Sequence, residues 1–230
     1  MSEDHTPASE GEPRANATWS RMLAGNRRFF EGQAEHPWQD AETRESLIDA
    51  QSPDAVVLSC SDSRVPPEII FDQGLGDLFT VRTAGQTLDP SVLASLEFAV
   101  TELKVSLLVV MGHEHCGAVT ACLRAIEDHR SETGRPRIEP GDEALDETLD
   151  ETFVHDSPSP IVNQVGTSIL AAQEAGLETT DEYESVHIAR TIEALVDRSE
   201  AIRQAVAEGR IMMVGARYSL TSGKVQVLSF

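Results

Sequence analysis

Basic side chains are scarce in this chain: 18 Lys and Arg stand against 39 Asp and Glu in 230 residues, a formal net charge of -21. A surface of that sign repels phosphate backbones and anionic lipid, which argues against nucleic acid and charged membranes as partners. The charge reads instead as a device for solubility. Aromatic residues are also few, at 5%, so the 40% of residues that are hydrophobic must build a core from Val, Ile, Leu and Ala. No apolar run reaches the length of a membrane span. The polar first 17 residues lack the apolar stretch of a secretory signal, and the expectation is a cytoplasmic protein. Cys60, Cys116 and Cys122 are too few to form a disulfide framework, so metal binding or catalysis is the better use for some of them. No internal repeat is present.

The pattern along the chain alternates apolar strands with helices. Residues 1–17 mix Ser, Glu, Pro and Gly and read as a disordered tail. Trp19, Met22, Leu23, Asn26 and Phe30 share one helical face, which predicts a helical arm over 18–31 with Thr18 as its N-cap. Segment 55–58 is short, apolar and β-branched, as expected of a strand buried on both faces, and further strands are expected over 78–81, the apolar 105–111, and 211–216. Helices are expected over 42–50, 90–103, 118–128, 161–175 and 182–208, and a turn at 221–224 leads into a closing strand at 225–228. Residues 130–157, rich in acids with Pro and Gly, read as an exposed, mobile insertion. The expectation is an α/β fold: a mainly parallel central β-sheet flanked by helices, with an N-terminal helical arm and a C-terminal hairpin, in one domain over 18–230.

Chemistry concentrates in two loops, each leaving the carboxyl end of an apolar strand. One is Cys60-Ser61-Asp62-Ser63-Arg64 and the other Gly112-His113-Glu114-His115-Cys116-Gly117. Ligands of open α/β sheets bind at those strand ends, so the two loops can meet although they are distant in sequence. Two thiolates and one imidazole suit Zn²⁺, and three protein ligands leave one tetrahedral position open. Cys60, His113 and Cys116 are therefore the candidate metal ligands, with Asp62 able to supply a displaceable fourth. Cys122 falls inside the next helix and reads as a small buried hydrophobe.

Cys-Ser-Asp-Ser-Arg followed by Gly-His-x-x-Cys-Gly resembles the β-carbonic anhydrases. The resemblance runs from Gly25-Asn26-Arg27-Arg28-Phe29 through Gly76-Asp77-Leu78-Phe79 and Val81-Arg82 to Tyr218. It implies a zinc enzyme, one Zn²⁺ per chain, that converts CO₂ and water to bicarbonate and a proton through a zinc-bound hydroxide. It also implies roles for single residues. Cys60, His113 and Cys116 match the zinc ligands, and Asp62 and Arg64 match a carboxylate–guanidinium dyad. Gln51, Phe79 and Gly117 match substrate-pocket positions, with Gln51 and Phe79 supplied by a neighbouring subunit of a homodimer or homotetramer. Phe79, Ala84 and Phe98 are the expected apolar wall for CO₂; the family often has Val in place of Ala84 and Tyr in place of Phe98.

The dyad implies a switch, with Asp62 on the metal inactive and Asp62 on Arg64 active. Some relatives hold an inhibitory bicarbonate with Trp, Arg and Tyr; Arg82 and Tyr218 match two members, but Val57 stands at the Trp position, so no such site is expected. His115 is either a proton relay or an exposed loop histidine, and Glu114 and the remaining histidines receive no role. Three alternatives stay open on the residues: a related zinc hydrolase acting on CS₂, a non-catalytic zinc protein closed by Asp62, and a cysteine hydrolase using Cys60 and His113.

Overall fold

The computed structural model describes residues 11–133 and 147–228, with side chains from 14 and again from 150. The first ten residues of the expected tail and 134–146 of the expected insertion lie outside the described residues. In chain order the elements are α1 (Gly11–Phe30), α2 (Ala41–Ser46), β1 (Ala55–Cys60), α3 (Pro67–Ile70), β2 (Leu78–Thr83), a 3₁₀ turn (Ala84–Gln86), α4 (Pro90–Thr101) and β3 (Leu107–His113). Then follow α5 (Gly117–Glu132), α6 (Glu147–His155), α7 (Pro160–Glu174), α8 (Thr180–Arg198), α9 (Glu200–Ala207), β4 (Met212–Tyr218) and β5 (Val225–Leu228).

Among the described residues five strands form one sheet in the order β2-β1-β3-β4-β5. All neighbours are parallel except β5, which returns antiparallel along β4 as the expected hairpin. Every residue of β1 and β3 is buried, because helices cover both faces of the sheet and alternate side chains enter two separate cores. Val57, Val109 and Met111 pack with Met22 of α1, Val119 and Ile126 of α5, and Val165 of α7. Val56, Leu58, Leu108 and Val110 pack instead with Leu96 of α4, Ile188 and Leu195 of α8, and Ile202 of α9. Aliphatic side chains supply nearly all of both cores, as the shortage of aromatics requires.

The arm α1 is fastened to its own chain. Asn26 donates to the Ile70 and Gly223 carbonyls and accepts from the Val225 N–H, tying α1 to α3 and to the β4–β5 turn. Gly25 allows the close approach, since a Cβ there would fall 1.8 Å from the Phe71 carbonyl oxygen. Arg28 then reaches the buried Asp72 carboxylate at 2.7 Å, which also takes the N–H groups of Glu35 and His36.

Three expectations change. The arm starts at Gly11, so 11–17 is helix; Pro13 sits in the first turn, where its missing N–H costs no helical bond. The stretch 182–208 is two helices. Buried Ser199, with extended backbone (φ -119°, ψ 109°), ends α8 and caps α9 by accepting the Ile202 N–H, while its hydroxyl donates to Glu97. The far end of the insertion is packed helix: in α6, Asp150 is buried and pairs with Arg130 of α5 at 2.7 Å, and Val154 is buried against Gly166 of α7.

Candidate metal centre

Parallel pairing of β1 with β3 delivers Cys60 and His113 to the carboxyl end of the sheet. The register sets Ser59 opposite Met111 and His113 opposite Tyr218 of β4. After β3 the chain turns sharply through His115 (φ 55°), and Cys116 becomes the N-cap residue of α5. The turn is clamped from β4: Glu114 N–H donates to the Tyr218 carbonyl at 2.8 Å. The Glu114 carboxylate accepts from Thr221 N, Thr221 Oγ1 and Ser219 Oγ. Those bonds, led by the Thr221 N–H, pull its pKa down to about 2.

The sulfurs of Cys60 and Cys116 and a ring nitrogen of His113 all lie within 4.8 Å of one another, and all three residues are buried. His113 Nδ1 is 2.9 Å from the Glu114 carbonyl, which can only accept, so Nδ1 carries the hydrogen and Nε2 keeps its lone pair. Among the described residues that Nε2 is a buried nitrogen with no hydrogen-bond partner. An orphaned buried acceptor beside two thiols fits a metal: tetrahedral zinc holds S and N ligands about 3.5–3.8 Å apart, given bonds of about 2.3 and 2.0–2.1 Å. Zinc is the ion this donor set suits.

Electrostatics favour deprotonation of Cys60. The neighbouring Cys116 thiol, with His113 and the Gly85 N–H, outweighs burial and lowers the pKa of Cys60. Cys116, buried beside the Cys60 sulfur, moves up. Burial works against a charge on His113, but the neighbouring Cys60 sulfur prevails and the imidazole pKa rises. A bound cation would take the place of the ligand protons.

Asp62 does not join the three ligand atoms. Its carboxylate forms a two-pronged pair with Arg64, Nε to Oδ1 at 2.9 Å and Nη2 to Oδ2 at 2.7 Å, and takes the Arg64 N–H as well. Arg64 holds it well below the usual carboxylate range. Arg64 also touches the His115 carbonyl at 3.3 Å, bridging the two loops. Arg82 donates to the carbonyls of Cys60 (3.0 Å) and Asp62 (2.7 Å), fixing the first loop from β2. His115 is exposed, and Val57 is wholly buried in the core.

The expected pocket residues divide into two groups. Ala84 and Gly117 are exposed beside the cluster, and a Cβ on Gly117 would meet open space. Gln51 is exposed ahead of the opposite end of β1, and Phe79 pairs with Val56, about 13 Å of strand below the level of Cys60. Phe79 packs on Phe98 with ring centroids 6.2 Å apart, and Phe98 is 45% exposed. Within one chain, then, Phe79 and Phe98 do not share a wall with Ala84.

Three supporting residues escaped the sequence reading. Glu184 of α8 is buried and takes the Cys116 N–H at 3.0 Å, and its second oxygen is gripped by Arg217 of β4. His187, also of α8, is buried and reaches the Gly85 carbonyl, whose own N–H points at the Cys60 sulfur. Their signal was polarity on a helix face that otherwise carries Ile188, Thr191 and Leu195. For Arg217 it was a charge within an apolar strand.

A family model described as carbonic anhydrase matches residues 55–225. A carbonic anhydrase of Mycolicibacterium smegmatis is 45% identical over 219 residues, covering 94% of this chain and 96% of the relative. Carbonic anhydrase 2 of Mycobacterium tuberculosis is 42% identical over 208 residues, covering 90% of each. A crystal structure from work on two tetrameric β-carbonic anhydrases of Sordaria macrospora superposes with a TM-score of 0.61 over 93% of this chain and 98% of that one, at 22% identity.

Proposed function

The chain belongs to the β-carbonic anhydrase family, and from that premise we propose that it catalyses the reversible hydration of CO₂ to bicarbonate and a proton at a zinc ion held by Cys60, His113 and Cys116. The observation that carries the reading is the convergence of those three ligand atoms within 4.8 Å, with His113 Nε2 left without a hydrogen-bond partner among the described residues. When bound, zinc supplies the Lewis acidity that lets water act as a nucleophile near neutral pH.

The chain's own residues do the rest. Cys60 and Cys116 bring two negative charges, which offset the dication and shift activity toward alkaline pH. Arg64 keeps Asp62 ionised and away from the ligand cluster, so three ligands leave the open position that distinguishes a catalytic zinc from a structural one. Asp62, so held, accepts a hydrogen bond from water and turns its lone pair toward CO₂. Ala84 and Gly117 leave room beside the cluster.

The remaining pocket comes from a neighbouring copy, which contributes Gln51 and Phe79 to complete the site. The support is that neither reaches the cluster of its own chain, that the Phe98 ring packed on Phe79 is exposed, and that relatives of this fold from Sordaria macrospora are tetrameric. A homodimer or homotetramer acting in the cytoplasm is part of the proposal; free thiols at Cys60, Cys116 and Cys122 are in keeping with a reducing compartment. Stopped-flow CO₂ hydration of the zinc-loaded protein across pH is the test. Activity rising into the alkaline range is expected, and a folded, zinc-loaded protein no faster than buffer refutes the assignment.

A further inference from the structure

The turn Ala84–Gln86 carries two successive residues at positive φ, Gly85 (66°) and Gln86 (41°). Gly85 must be glycine, because a Cβ there would lie 2.8 Å from Ala118 Cβ and 3.1 Å from Val165 Cγ2. Gln86 is not glycine and is buried in the same left-handed region. Backbone of this kind persists only where the surroundings over-determine it, and it gathers at functional sites.

Two hydrogen bonds give the turn its direction. Gly85 N–H donates to Cys60 Sγ at 3.4 Å, and Gly85 C=O lies 2.7 Å from His187 Nε2. A carbonyl can only accept, so Nε2 carries the ring hydrogen. Nδ1 lies 2.9 Å from Ser168 Oγ, which accordingly donates to it. Both nitrogens of a nearly inaccessible ring are thus engaged, one by α7 and one by the turn. Burial, the largest influence, lowers the pKa of the ring and keeps it in this neutral tautomer. Glycine has no side chain with which to fix its own dihedrals, so the grip on its carbonyl is what aims its N–H.

We propose that His187 is a positioning residue of the metal centre: by holding the Gly85 carbonyl it keeps the Gly85 N–H on the Cys60 sulfur, and so sets how much charge that thiolate gives the metal. The proposal rests on the reading of Cys60 as a metal ligand. A hydrogen bond to a ligating sulfur withdraws electron density from it and fixes its orientation, and loss of such outer partners weakens metal binding by roughly 10–100-fold.

The experiment uses the full chain loaded with Co²⁺, read by its thiolate-to-cobalt charge-transfer band and by the rate of metal loss to a chelator. His187→Leu removes the donor; His187→Gln restores one, since its amide nitrogen occupies the same place along the side chain as Nε2. Expected are a displaced band and metal loss roughly 10–100-fold faster in His187→Leu, with His187→Gln close to the parent. A parental band and rate in His187→Leu overturn the proposal, as does His187→Gln behaving like His187→Leu, which would mark a packing role only. Should His187→Leu not fold, Ser168→Ala decides: it frees the ring to turn, so faster metal loss supports the proposal and an unchanged rate overturns it. A parent chain that takes up no cobalt overturns the metal reading itself, and this proposal with it.

Discussion

The buried pair beneath Cys116 lends itself to a quantitative test. Glu184 is 2% exposed and Arg217 6%. One Glu184 oxygen takes the Cys116 N–H at 3.0 Å; the other takes Arg217 Nε at 2.9 Å and Nη2 at 2.8 Å. Glu184→Ala leaves a buried guanidinium and an orphaned N–H at the start of α5. Breaking a buried pair from one side costs about 3–5 kcal/mol, and an orphaned N–H about 1–3 kcal/mol. Asp181, 2.6 Å from Arg217 and largely exposed, relieves part of this, so the net loss is about 3–5 kcal/mol. With a urea dependence near the upper end of about 1–3 kcal/mol per molar, the unfolding midpoint falls by about 1–1.7 M. The assay is urea unfolding followed by the fluorescence of Trp19, which packs edge-on against Phe71. Metal is removed and protein concentration fixed, so that binding does not shift the midpoint. Glu184→Gln keeps the acceptor for Cys116 and falls by less. A Glu184→Ala midpoint within about 0.3 M of the parent, or about 1 kcal/mol on the same scale, would refute the reasoning.

Gly85→Ala forces a Cβ into the left-handed region, at roughly 1–2 kcal/mol, and against Ala118; overpacking adds about 1–3 kcal/mol, so a urea midpoint equal to the parent's would contradict the close packing of the turn. Arg64→Ala releases Asp62 from its two-pronged pair; zinc content should hold while CO₂ hydration drops at least roughly 10-fold, and full activity at alkaline pH would end the dyad argument. Glu114 has a pKa lowered from 4.5 to about 2, so the stability it gives is complete above pH 4.5 and lost as pH falls through about 2. Glu114→Gln should therefore flatten the midpoint-versus-pH curve over that window, and an unaltered slope there would show that the carboxylate does not hold the 219–221 turn.

Much of this arrangement could be read from sequence because its causes are local. The runs 55–58 and 107–111 are unbroken and apolar since helices cover both faces of β1 and β3, and strands so placed carry their chemistry at their carboxyl ends. Cys60, His113 and Cys116 were visible for that reason. What stayed hidden depends on partners distant in sequence. Glu184 acts on Cys116, and His187 on Gly85, across folds of the chain that no local pattern encodes. The break at Ser199 owes its permanence to Glu97 on another helix, and neighbouring residues are good helix formers. The composition of 11–17 resembled disorder although Pro in a first turn is compatible with helix. Asp150 stands among acids typical of a solvated segment, and its buried place depends on Arg130 of another helix. Gln51, ahead of β1, and Phe79, on β2, lie away from the cluster of their own chain; their expected place is in a neighbouring subunit's pocket.

The most direct check on the central claim is a zinc count on purified protein combined with X-ray absorption at the zinc edge. The account predicts one zinc per chain, with two sulfurs at about 2.3 Å and one nitrogen at about 2.0–2.1 Å. Folded protein without stoichiometric zinc, or with a metal shell that contains no sulfur, would contradict it.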